Sequence, residues 1–108
     1  MAYTTHEEPY NQIGDGRQVV AVPGTAVQLS ATSTKCQKVV VSALPTNTNL
    51  VTVGSSTTLA TAGSERGKIL YAGDSETFYI DNLTKLYVDA LTAGNGIVFV
   101  YYLWKNIF

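Results

Sequence analysis

A chain of 108 residues is the size of one domain with one hydrophobic core. Charged residues make up 14 % of it, against roughly 25 % in an average soluble domain, and the net charge is −1 without any Lys/Arg cluster. Direct recognition of nucleic acid is therefore not expected, because the basic footprint that binds phosphates is missing.

No apolar run is long enough to cross a bilayer as a helix, and residues 1–10 lack the basic start and apolar run of a signal peptide. The single cysteine, Cys36, has no partner for an internal disulfide. These features predict synthesis in a reducing cytoplasm and no membrane partner. Low charge beside 45 % hydrophobic residues predicts a surface partly covered by another protein, since free monomers rely on surface charge for solubility.

Residues 1–17 (MAYTTHEEPYNQIGDGR) combine polar side chains with Pro9, Gly14 and Gly16 and show neither a helical nor a strand period. They are expected to form an extended N-terminal arm, with a single β-sandwich domain over 18–108. QVVAV (18–22) and AVQLS (26–30) flank Pro23-Gly24 and read as a hairpin, followed by a polar loop over 31–37. KVVVSA (38–43), LVTV (50–53) and TTLA (57–60) come next, separated by a loop with Pro45, Asn47 and Asn49 and by a Gly-Ser turn. Val and Thr dominate these runs. That favours strands, because branched β-carbons are stiff at χ1 and pack well on a pleated surface.

The rhythm repeats with KILY (68–71), the turn AGDS and ETFYI (76–80), where Phe78 and Ile80 share one face and Thr77 and Tyr79 the other. KLYVDA (85–90) places Leu86, Val88 and Ala90 inward, with Tyr87 and Asp89 outward. GIVFVYYLW (96–104) is apolar on both faces and is expected to be buried on two sides. About eight or nine short strands spaced by turns, with no helical window, predict an all-β fold, a small antiparallel β-sandwich or jelly-roll-like domain. The core aromatics Phe78 and Phe99 are expected to dominate its stability.

Chemistry is sparse. His6 lies in the arm without a second ligand or catalytic partner, so it reads as an ordinary exposed residue. Cys36 stands between Lys35 and Lys38, cations that would lower a thiol pKa, but it has no base nearby in sequence and reads as a small half-buried side chain. Asp74, Glu76 and Asp81 match a calcium loop only in part and read as turn and edge residues. Asn82-Leu83-Thr84 fits the glycosylation pattern but reads as a turn, and Gly14-Asp15-Gly16 is too short for a phosphate loop. No catalytic, metal or cofactor residue is assigned, and a non-enzymatic role is expected.

Aromatic and apolar side chains at the ends and on outer strand faces are the candidate partner-binding residues: Tyr3, Tyr10 and Ile13 in the arm, Tyr87 and Tyr102 on strands, and Trp104, Ile107 and Phe108 at the C-terminal end. Packing within the domain competes as an explanation for about half of the strand aromatics.

The stretches VVAVPGTAVQLS (19–30), KCQKVVVSAL with NTNLVTVGSS (35–56), and LYAGDSETFYIDNLTKLYVDA with NGIVFVYY (70–102) resemble small virion proteins of tailed bacteriophages, the head decoration (cement) and head-fibre proteins. The resemblance implies a β-sandwich or jelly-roll body and homo-oligomers, often trimers. It further implies a place on the outside of an icosahedral shell, with extended termini reaching the major capsid protein. It carries over no catalytic residue. A receptor- or glycan-binding module of a fibre, and an adaptor at the neck or tail, are the competing expectations.

Overall fold

The computed structural model describes residues 10–104. The strands are β1 (Gln12–Val19), β2 (Val27–Gln28), β3 (Lys38–Ala43), β4 (Val51–Gly54), β5 (Lys68–Leu70), β6 (Ser75–Phe78), β7 (Tyr87–Ala90) and β8 (Gly96–Leu103), with a short 3-10 turn at Leu83–Lys85. They form two four-stranded sheets, in the orders β1-β8-β3-β6 and β2-β7-β4-β5, and every neighbouring pair is antiparallel. The first strand pairs with the last, the second with the seventh, the third with the sixth and the fourth with the fifth. The chain is thus one long antiparallel ribbon rolled onto itself, which is the jelly-roll form of the β-sandwich.

Alternation within the strands builds the core. In KVVVSA, Val39, Val41 and Ala43 are buried while Lys38, Val40 and Ser42 are half-buried. The first sheet contributes Val39, Val41, Ala43, Ile97 and Phe99, and the second contributes Val51, Val53, Leu70, Val88 and Ala90. Leu86, Val88 and Ala90 point inward as their pattern predicts. Phe78 and Ile80 also pack on the core, though both are only partly buried.

The structure departs from the sequence reading in five places. Residues 12–17, expected to end the arm, belong to β1, which pairs along its whole length with β8, from Gln12↔Leu103 to Val19↔Gly96. This strand lacks an apolar alternation because its inner face is filled from the other side. A Cβ on Gly14 would sit 2.2 Å from Tyr101 Cζ, and one on Gly16 would sit 2.4 Å from Phe99 Cζ. The two rings of β8 occupy the space that β1 side chains would otherwise take.

The expected hairpin of 18–22 with 26–30 does not form. β1 and β2 lie in different sheets, and the segment between them crosses the sandwich, tied by Val20 N–H donating to Asn95 O at 2.9 Å. TTLA makes no regular strand either. Leu59 and Arg66 exchange backbone hydrogen bonds of 3.0 and 2.8 Å as an isolated bridge, closing a loop that folds back over the second sheet.

That loop changes the fate of Asp89. The residue does lie on the outer face of β7, yet it is completely buried, because Ala60 N–H donates to its Oδ2 at 2.7 Å and Gly24 N–H to its Oδ1 at 2.9 Å. Two loops are therefore pinned over the outer face of the second sheet by one carboxylate. Its register partner Thr52 is fully buried too, and the Thr52 Oγ1 finds no hydrogen-bond partner.

The outer face of the first sheet has no such cover among the described residues. β8 is consequently buried on its inner side only: Ile97 and Phe99 are inside, whereas Val98 is 37 % exposed and Val100 and Tyr102 are half-buried. The expectation of burial on both sides fails for that reason.

Candidate docking surface

Register places Ile13, Tyr102 and Lys38 side by side on the outer face of the first sheet, with Asp15, Val100 and Val40 in the next row and Arg17, Val98 and Ser42 in the one after. Ile13 is 70 % exposed. Tyr10 lies against Tyr102 with ring centroids 5.8 Å apart and the planes tilted by 44°. Lys38 Nζ sits 5.2 Å from the Tyr102 ring centre, a cation held over the negative face of an aromatic ring. Tyr79, just past the end of β6, is 75 % exposed.

Beyond Tyr102, the strand end is fixed by backbone bonds. Gln37 N–H donates to Tyr102 O at 2.9 Å, and Trp104 N–H donates to the Gln37 side-chain oxygen. Shallow depressions flank the row: Ile13, Thr34, Lys35, Tyr101 and Leu103 line one, and Gln37, Tyr79, Ile80 and Asp81 line another. The result is an amphipathic aromatic patch at the end of the sandwich where β1 begins and β8 finishes. Both chain segments outside the described region are attached to this end. Such a surface buries large apolar area on contact while its hydroxyls and one lysine stay able to hydrogen-bond, the composition of a protein interface.

Of the residues singled out from sequence, Tyr10, Ile13, Tyr102 and Trp104 come together here. Tyr87 does not: it is half-buried in the second sheet opposite Gly54. Tyr3, Ile107 and Phe108 lie outside the described residues, as does His6. Lys38 was not foreseen as part of the surface, although its first position on a strand and the alternation of KVVVSA mark it as outward.

The chemistry-bearing groups are engaged elsewhere. Cys36 is 2 % exposed, and its thiol donates to Ile80 O at 3.2 Å. Its pKa is pushed up by burial and then by the carboxylate of Asp81, the reverse of the lowering expected from Lys35 and Lys38. Lys85 Nζ, 2.8 Å from Asp81 Oδ1, donates to that carboxylate and holds its pKa below the usual value. Asp74 Oδ2 accepts from Tyr71 N–H at 3.0 Å in a turn, and Glu76 faces Lys68 at 3.7 Å. The three carboxylates of the partial calcium pattern thus have three separate partners, and among the described residues no three His, Cys, Asp or Glu side chains converge.

Asn82 shows why its tripeptide forms a turn. Its Oδ1 accepts from Thr84 N–H at 3.1 Å and from Thr34 N–H at 3.0 Å, while Nδ2 donates to Ser33 Oγ at 2.9 Å. One side chain caps the 3-10 turn and ties it to the loop before β3. Compared with known protein families, curated proteins and solved structures, the chain matches none.

Proposed function

We propose that this protein is a non-catalytic structural component of a virus particle, made in the host cytoplasm and bound to the outside of a bacteriophage capsid, which it decorates and stabilises. Its partners in this reading are the major capsid protein and further copies of itself. The observation that carries it is the aromatic face at the end of the sandwich, left uncovered by the described residues, to which both outer chain segments are attached. A jelly roll supplies a rigid body, and function is read from the site it carries and not from the fold. Here the site is a surface of Tyr10, Tyr79, Tyr102 and Lys38, suited to protein contact. The sequence resemblance to head decoration proteins points the same way.

The test uses Tyr79→Ser and Tyr102→Ser, together and singly, in full-length protein added to particles that lack it. Their circular dichroism spectra and melting temperatures are compared with wild type, since both side chains sit on the outer face. The expected result is wild-type folding with lost particle occupancy. Undiminished occupancy of the double variant defeats the proposal, and saturable binding to a glycan array that these substitutions abolish replaces it with a receptor-binding role.

A further inference from the structure

Among the described strands, four lie at sheet edges, and three of them are poor templates for another chain. β2 has two residues, β5 three and β6 four. β5 and β6 also carry Lys68 and Glu76, paired with each other across the sandwich edge. Short edges and charges of this kind guard against edge-to-edge association. β1 is different. It has eight residues, no proline and no lysine, and among the described residues no strand lies beyond it.

Hydrogen bonds at both ends of β8 fix which groups of β1 remain available. Val20 N–H donates to Asn95 O, whereas Leu44 and Gln37 N–H donate to Gly96 O and Tyr102 O. The odd-numbered residues of β8 therefore address β1 and the even-numbered ones address β3. Through the pairing Gln18↔Ile97, it is the even-numbered residues of β1 that bond to β8. Ile13, Asp15, Arg17 and Val19 turn their N–H and C=O groups to the open edge, and their side chains to the outer face.

We infer that β1 pairs antiparallel with β1 of a second copy of this chain, about a two-fold axis through Gly16, joining two first sheets into one continuous sheet. In this register Asp15 faces Arg17 of the second copy, and Ile13 faces its Val19. The symmetry repeats each pair, as an isologous contact requires. Opposed residues with available main-chain groups exchange two hydrogen bonds each, and the two Gly16 residues meet at the close, non-bonded position. Neighbouring registers are worse: centring on Asp15 or on Arg17 opposes like charges, and centring on Gly14 sets Asp15 against Ile13. The sequence of β1 complements itself in one alignment.

This inference does not rest on the capsid reading, and the two fail separately. Sedimentation equilibrium on the full-length wild type should give a two-chain mass. Asp15→Arg and Arg17→Asp, each of which puts like charges opposite one another twice, should each weaken association by about tenfold or more. The Asp15→Arg/Arg17→Asp double variant restores the pairing with its signs exchanged and should dimerise like wild type. Val19→Pro removes a donor from the open edge while leaving the bonds to β8 intact, and should also weaken the dimer. A wild type that stays monomeric or forms trimers, single variants that associate normally, or a double variant that fails to recover overturns the inference. Recovery in the double variant also shows that neither single change acts by unfolding the chain.

Discussion

Asp89 holds two loops with one carboxylate, and that arrangement sets the cost of removing it. In Asp89→Ala the Ala60 N–H stays buried without an acceptor and the Gly24 N–H turns to solvent, so stability should fall by about 2–3 kcal/mol in urea titration. Asp89→Asn keeps one acceptor oxygen and should lose less. Thr52, opposite Asp89, invites the reverse change. Its buried hydroxyl has no partner, so Thr52→Val, which keeps the shape, should stabilise the protein by roughly 1 kcal/mol in the same titration. Cys36 gives a pH dependence. Because burial raises its folded pKa, the protonated thiol's contribution is complete below the ordinary value of 9.0 and is lost as pH climbs from there through the folded value. The stability of wild type should therefore fall more steeply above that pH than that of Cys36→Ala, and native Cys36 should resist iodoacetamide at neutral pH until denaturant is added. Sequence placed Asp89 on the right face of its strand. It could not show the loop lying over that face, because Ala60 and Gly24 are remote in the chain and carry no side-chain signal for the contact.

At the level of elements, β1 is the instructive case. Its inward positions Gln12, Gly14, Gly16 and Gln18 bring no apolar side chain, so no period of two is visible, and the strand exists because rings from β8 pack against its backbone. Gly16→Ala should force the Phe99 ring aside and cost about 1–3 kcal/mol, read as a lowered melting temperature. Phe99→Ala should cost about 3–5 kcal/mol. Phe78→Ala should cost less, as this ring is only partly buried at the end of an edge strand, contrary to the equal weight the two phenylalanines receive from sequence. The central strands were legible because β3 and β7 alternate cleanly between core and outside. The hairpin was misplaced because Pro23-Gly24 marks a change of direction without telling which sheet the chain enters next.

For the whole molecule, short strands and abundant turns made the sandwich legible, while strand order came only from the structure. Local sequence does not encode that β1 joins β8 across the length of the chain, and the docking surface depends on that union. Tyr10 and Ile13 come from the start of the chain, and Tyr102 and Trp104 from its end. Their grouping is a product of topology, although each residue's outward tendency was readable alone. The adjacency of Gln12 and Leu103 also predicts that a circular permutant, with its old ends joined through 1–9 and 105–108 and new ends in the exposed loop at Gly63, folds to the same far-UV spectrum.

β8 stands between β1 and β3, yet it follows all the other described strands in the chain. Until β8 has been made, β1 has no neighbour among the described strands and the rings that fill its glycine positions are absent. The first sheet can therefore close only once β8 is available, by long-range pairings that form slowly. Chains in which β8 has not yet paired would present the inner faces of β3 and β6 to solvent, so the time before β8 pairs is when this protein most needs chaperone protection.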